Sequence, residues 1–291
     1  MQVMTTLPQE NLNDVPQAAR NAEMVGFDMV ATMENRYEPF MPLAAAAIST
    51  KTINIGTAVA IAFPRSPMVV ASTCWDLNNA SGGRFVLGLG PQIKPHNEKR
   101  FSVPWSPPAP RIREYVMALR AIWKNWEHGE KLDFRGEHYT FTLMTPNFVP
   151  VSTHQAPIPV TIAAVGPHTL KLAGEVCDGV RLHPFCTRSY LEDIAMPRIE
   201  AGLLMSSTKR ENFQVTGGGF VATGATDEEV NTALEWVRYR IAFYGSTPSY
   251  WPVFEHHGRG DLGRKLNKMT KDGLWDQMAK EIPDDLLYLF A

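Results

Sequence analysis

The sequence lacks the features that would place it in several common classes. Its three cysteines, Cys74, Cys177 and Cys186, are far apart, sit in apolar or helical surroundings and form no CxxC pair. A disulfide framework is therefore not expected, and a reducing cytoplasm suits the chain. The longest apolar run, PLAAAAI at 42–48, is far short of the roughly 20 residues that cross a bilayer. The N-terminus, MQVMTTLPQE, has no basic segment leading into an apolar one, so no secretory signal is read there. Neither charge sign dominates: the formal net charge is −2, and neither nucleic acid nor an anionic membrane is an expected partner. Several catalytic signatures are missing as well. There is no HExxH, no GxSxG elbow and no GxxxxGKS loop. His256 and His257 are adjacent, a poor spacing for a metal pair, and no metal is expected. No lysine lies inside a strand-like run, where a Schiff base would need one.

What is present is an alternation. Its 291 residues suit one barrel of about 250 residues or two smaller domains. Residues 2–7 read as a short strand. A helix follows, capped by Asp14, with Pro16 in its first turn and Gly26 as its stop. FDMVATM (27–33) reads as a strand, 41–49 as a helix, and INIGTAVAIAF (53–63) as a β-branched strand. Ser66-Pro67 opens a helix that stops at Ser81-Gly82-Gly83, and RFVLGLG (84–90) is a buried strand. Residues 111–126 are the clearest helix, with Ile112, Tyr115, Val116, Leu119, Ile122, Trp123 and Trp126 on one face. GEKLDFRGEHYTFTL reads as a hairpin. PVTIAAVG (159–166), DGVRLHPF (178–185) and FQVTGGGFVAT (213–223) are further strands, the last with a glycine-marked kink. Thr226 and Glu229 form a capping box. After Phe243 the periodicity weakens into a loop-rich stretch, and no eighth strand is visible. Strands that are nearly continuous apolar runs are buried on both faces, which fits a parallel sheet with crossover helices, either doubly wound or closed as a (β/α) barrel. No linker or repeat divides the chain, so residues 1–291 read as one domain.

Function is sought just beyond the C-terminal ends of the strands, the active face of such barrels. Glu34, Asn35, Arg36 and Tyr37 follow the second strand. Ala58, Val59 and Ala60 lie in the third. Gly88-Leu89-Gly90 resembles half of a dinucleotide fingerprint, but the third glycine is missing, and Pro91 and Pro95 oppose an immediate helix. It reads as a strand packed closely on its neighbours, leaving the polar run Gln92 to Arg100 as rim or solvated loop. Val165-Gly166-Pro167-His168-Thr169 offers a better anion cradle, because a glycine and a proline there open a helix with free backbone N–H groups. His183 follows the sixth strand.

Seven stretches together resemble the luciferase-like monooxygenase superfamily, in its coenzyme F420-dependent oxidoreductase branch. They are GTAVAIAFPRSP (56–67), SGGRFVLGLG (81–90), KPHNEKRFSVPW (94–105), REYVMALRAIW (113–123), FRGEHYTFTLMTP (134–146), AAVGPHTLKLAGEVCDGVRLHPF (163–185) and IAFYGSTPSY (241–250). The resemblance implies an α/β fold, a (β/α)8 TIM-type barrel with insertions, here without a visible last strand and helix. Relatives tend to continue past the final Phe-Ala, so a C-terminal truncation or an unusual closure is expected. The resemblance also implies a deazaflavin or flavin whose ring lies against a bulge in the third strand, where relatives often hold a non-proline cis peptide. Ala58, Val59 and Ala60 would back the ring. Asn97 would approach its polar edge, and Gln92 joins the cofactor-binding set. Ala164, Val165 and Gly166, with His168 and Thr169 in the next helix's first turn, would hold the cofactor phosphate.

Several F420 relatives carry a proton-transferring histidine after the second strand. ENRYEPF has none, so His96, Glu34 and Tyr37 are the candidate catalytic residues. The implied activity is hydride transfer between coenzyme F420 and a small organic substrate by a cytoplasmic homodimer. The alternatives are an FMN-dependent luciferase-like monooxygenase and a non-catalytic family member. The acidic tail of F420 calls for a basic groove, to which Arg65, Lys94 and Arg181 could contribute.

Overall fold

Short apolar runs separated by amphipathic helical stretches become parallel strands joined by helices. The computed structural model describes residues 1–152 and 155–291. Within them the chain divides into two units: Met1–Ala163 with Val176–Gly179, and Ala164–Glu175 with Val180–Ala291. The class is the α/β type expected from the alternation.

The first unit starts with β1 (Met4–Thr6), α1 (Val15–Val25), β2 (Met29–Thr32), α2 (Phe40–Ser49) and β3 (Asn54–Thr57). β4 (Ala60–Ile61), α3 (Pro67–Ser81), β5 (Phe85–Gly90), α4 (Lys94–Lys99) and α5 (Pro108–His128) come next. The hairpin β6–β7 (Phe134–Arg135, Thr140–Phe141) and β8 (Val160–Ala164) complete it. The strand order is β1-β2-β3-β5-β8, with β4 also beside β5. All these sheet pairs are parallel; β6 and β7 are antiparallel. The six residues of β5 are buried throughout, as a strand covered on both faces requires. Phe85, Leu87, Leu89, Ile55 and the α5 stripe Ile112, Tyr115, Leu119 and Ile122 form its core. Each such side chain contributes about 1.5–3 kcal/mol by leaving water.

Polar anchors fix the N-terminal ends of these strands. Arg84 donates to the carbonyls of Ala47, Thr50, Ile53 and Ser81 and to the Thr50 hydroxyl. The Glu23 carboxylate accepts the backbone N–H groups of Lys51, Thr52 and Ile53 at 2.6–2.9 Å. Burial pushes its pKa up, but these N–H groups and the Thr52 hydroxyl outweigh that and hold it down at about 2.

The second unit contains α6 (Pro167–Val176), β9 (Gly179–Leu182), α7 (Arg188–Tyr190), a π turn (Leu191–Ala195), α8 (Met196–Ser206) and β10 (Gln214–Gly217). Then come α9 (Asp227–Gly245), α10 (Trp251–His256), α11 (Gly260–Lys271) and α12 (Asp284–Phe290). β9 lies beside β10. Gly174 and Gly202 let α6 and α8 cross in backbone contact: a Cβ on Gly174 would lie 2.8 Å from the Leu203 nitrogen. The core centres on Phe185, Phe254 and Phe290, with ring centroids 4.8 and 5.1 Å from Phe185 to the other two.

Several local expectations needed correction. Asp14 makes no side-chain cap; Asn11 caps the preceding turn instead. INIGTAVAIAF breaks into β3 and β4. The strand read over 213–223 ends at Gly217, because Gly217, Gly218 and Gly219 all have φ between 79° and 94°. The stretch after Phe243 is helical, not loop-rich: prolines 248 and 252 sit in first turns, where their missing N–H is no loss. Pro95 plays the same part in the polar run, which forms α4 rather than a loop.

Candidate active site

In the first unit, the break between β3 and β4 is a bulge centred on a cis Ala58–Val59 peptide. Its position agrees with the cis peptide that the resemblance implied. The Ala58 N–H donates to the Thr32 carbonyl at 2.7 Å. The Glu34 N–H donates to the Val59 carbonyl at 3.2 Å, while its carboxylate accepts the Ile61 N–H at 2.7 Å. Arg65 binds the same carboxylate oxygen at 2.7 Å and donates to the Ile61 carbonyl at 3.0 Å. Glu34 therefore staples both sides of the bulge. Its side chain is 7% exposed, and one of its oxygens already accepts two donors.

Gly88-Leu89-Gly90 is the packed strand end that the sequence suggested. Thr57 exchanges two hydrogen bonds with Gly88, and a Cβ on Gly90 would lie 2.7 Å from Val59 Cγ2. Only glycine leaves the bulge its place. Beyond it, Gln92 adopts φ 59°, and its side-chain oxygen accepts the Ile93 N–H. Asn97 is fully buried and donates to the carbonyls of Pro91 and Ile93 at 2.9 and 3.2 Å. Its Oδ1 is buried with no partner among the described residues. Asn97 thus holds the turn after β5 and keeps one acceptor unsatisfied.

His96 is exposed on α4, and Tyr37 is 39% exposed in the loop after β2. Arg100, one turn along from His96, donates to the Asn35 carbonyl at 2.5 Å. That bond ties the loop of Tyr37 to the end of the segment carrying His96.

In the second unit, Ala164 ends β8, and Gly166-Pro167 opens α6. The Val165 carbonyl accepts the Tyr190 hydroxyl at 2.9 Å, which fixes the turn. A Cβ added to Gly166 would meet nothing, so the space beside it is open. His168 is exposed and Thr169 half-buried. Both occupy the first helical turn, where backbone N–H groups have no intrahelical acceptor and attract anions.

His183 stands at the end of β9. Its Nδ1 accepts the Phe185 N–H at 2.9 Å, which leaves the proton of the neutral ring on Nε2. Burial, and then the nearby Arg240 charge, pull its pKa down to about 4. Tyr244 and Tyr250 lie against the ring, with centroids 4.2 and 4.8 Å away.

The three cations considered for a basic groove are placed differently. Arg65 is engaged by Glu34 and, at 3.4 Å, by Glu38. Lys94 pairs with Glu98 at 3.8 Å. Arg181 is buried in β9, and burial lowers its pKa to about 10. The sequence reading missed Arg240 and Tyr244 beside His183, because a cation and an aromatic at helical spacing on α9 look like any amphipathic face.

A parallel strand–helix fold, with a cis-peptide bulge under the glycine end of one strand and a Gly-Pro helix start after another, defines a class. The chain belongs to the luciferase-like monooxygenase family, whose profile matches residues 1–291. Among its relatives, an uncharacterized protein of Mycobacterium tuberculosis is 48% identical over 94% of this chain and 81% of its own length. A 5,10-methylenetetrahydromethanopterin reductase of Archaeoglobus fulgidus is 29% identical over 98% of this chain and 83% of its own. The solved coenzyme F420-dependent tetrahydromethanopterin reductase of Methanopyrus kandleri matches with a TM-score of 0.76 and 22% identity, covering all of this chain and 85% of that one. These relatives fall where the seven sequence stretches pointed.

Proposed function

We propose that this protein is an oxidoreductase that uses coenzyme F420 to transfer a hydride to or from a small organic substrate. The observation that carries the reading is the bulge between β3 and β4, stapled by Glu34 and seated on Gly90, in a chain whose relatives include F420-dependent oxidoreductases. The residues present suit the cofactor. Ala58 and Val59, both half-buried, would face its ring, with the fully buried Ala60 next to them and Gln92 and Asn97 at the turn after β5. In the second unit, taken by itself, Ala164, Val165 and Gly166, with the N–H groups of His168 and Thr169, offer a cradle for a phosphate. When bound, the deazaflavin supplies a carbon that carries the hydride.

The chain's own part is to hold the ring surface rigid and to move a proton. Glu34 does the first, through the Ile61 N–H and Arg65. Since its carboxylate is engaged in that way, His96 and Tyr37 are the side chains left to move the proton. The cradle in the second unit presents backbone donors, which cost no reorganisation on taking up a charge.

The test is turnover with chemically reduced F420 and a panel of small acceptors, run with and without oxygen. Equal oxidation of the cofactor with oxygen excluded supports hydride transfer to substrate. Turnover that needs oxygen and FMN would replace this reading with the monooxygenase alternative. No turnover with either cofactor, by a folded protein, would favour the non-catalytic one.

A further inference from the structure

One face of α9 has no role in the account so far. Trp236, Arg240 and Phe243 recur at spacings of four and three, with Tyr239 and Tyr244 beside them, while Val237, Ile241 and Ala242 turn into the core. Trp236, Tyr239 and Phe243 are 55%, 43% and 38% exposed, and Trp275 beside them is 43% exposed. Monomeric proteins seldom expose so many large rings together without a use for them.

The rings are not scattered. Tyr239 stacks on Phe243 with centroids 6.3 Å apart and planes 27° apart, and Trp275 lies 6.1 Å from Phe243. Phe243 meets Tyr244 edge-on at 5.3 Å, and Tyr244 meets His183 at 4.2 Å. The result is a continuous aromatic ladder within the second unit, from the end of β9 to the surface.

Arg240 is the charge set into this ladder. Its guanidinium lies 5.0 Å from the Trp236 ring and 5.1 Å from the Tyr244 ring, and it donates to the Tyr244 hydroxyl at 3.0 Å. Neighbouring Arg238 takes up the carboxylates of Glu235 and Asp284. Among the described residues, no carboxylate forms an ion pair with Arg240, and its Nε is buried without a partner. A guanidinium among aromatic faces, with no counter-ion, is complementary to a flat conjugated molecule that carries a negative group.

We infer that the α9 face binds an aryl carboxylate or a comparable planar aromatic anion. The ladder of Tyr239, Phe243 and Trp275 takes the ring system, and Arg240 takes the charge. This goes beyond the proposed function and assigns a ligand site within the second unit alone.

The test uses 2-naphthoate as the probe, its fluorescence polarization being followed with the whole chain and no cofactor. Wild-type protein should bind it saturably. Phe243→Ala and Arg240→Gln should each weaken binding at least tenfold. Neutral 2-naphthalenemethanol should lose affinity with Phe243→Ala but not with Arg240→Gln. Phe243 is partly exposed, so its truncation leaves the fold intact, and Phe148→Ala, on the first unit, serves as a control that changes nothing. Absence of 2-naphthoate binding, or binding indifferent to both α9 variants, overturns the inference. An equal loss for both probes in Arg240→Gln overturns the anionic part. Retained 2-naphthoate binding by a protein that binds no F420 would refute the oxidoreductase reading and leave the aryl-anion site standing.

Discussion

The rim residues of the two units are built by opposite means. In the first unit three side chains are tied by polar bonds to the backbone: Glu34 to the bulge, Asn97 to the turn after β5, Arg100 to the loop of Tyr37. In the second, His183 sits among tyrosines, and a cation with no carboxylate partner among the described residues lies over two rings. Directional hydrogen bonds fix a surface in one geometry, whereas aromatic faces are less directional and accept varied flat molecules.

The strongest way to break this contrast is to remove the staple. Glu34→Ala leaves the Ile61 N–H and the Arg65 guanidinium without their acceptor. It should cost about 2–4 kcal/mol, read as a lower midpoint in urea unfolding, with cofactor binding lost as well. Glu34→Gln keeps an acceptor for Ile61 and should cost about half as much. If both variants bind cofactor normally, the bulge does not depend on Glu34.

Gly90→Ala comes next. Its new Cβ would sit 2.7 Å from Val59 Cγ2, so the bulge must move. A cost of about 1–3 kcal/mol is expected, with a larger fall in cofactor affinity than any substitution at the neighbouring Leu89 of similar stability cost.

The second unit is sharpened by pH. His183 has a folded pKa of about 4 against an ordinary 6.5. Its neutral state therefore contributes stability fully above pH 6.5, and this is lost as pH falls from 6.5 towards 4, where the unfolded chain takes up a proton that the folded chain refuses. In an NMR titration, the His183 ring should titrate near 4 in the wild type and higher in Arg240→Gln. An unchanged value would mean that burial alone sets it.

Glu23 gives a matching acid window in the first unit. Its folded pKa of about 2 lies below the ordinary 4.5, so its contribution is present above pH 4.5 and is lost between 4.5 and 2. Glu23→Gln should flatten the stability profile in that window and little else. The smallest structural effect belongs to His96→Ala, which is exposed and should leave stability within about 0.5 kcal/mol of wild type. A fall of about 10²-fold or more in turnover would identify it as the proton-moving group. If turnover is instead kept by His96→Ala and lost in Tyr37→Phe, the role passes to Tyr37.

The sequence carried the strand–helix alternation and the strand ends, because buried strands and capped helices leave periodic, punctuated signals. It showed Gly90 to be a packing glycine, since the third glycine of a nucleotide loop was missing. It could not show that Glu34 is a staple. That role depends on Ile61 and Arg65, brought to it across 27 and 31 residues. Nor could it show the α9 ladder, whose meaning depends on which helical face stays exposed. Prolines misled at α4 and α10, where first-turn positions made them helix starters.

The proposed deazaflavin site is tested most directly by a fluorescence titration of the purified protein with oxidised F420 and, separately, with FMN, at low and moderate salt. Saturable F420 binding that tightens at low salt is expected, with FMN markedly weaker. Preferential FMN binding, or binding of neither by a folded protein, would contradict it.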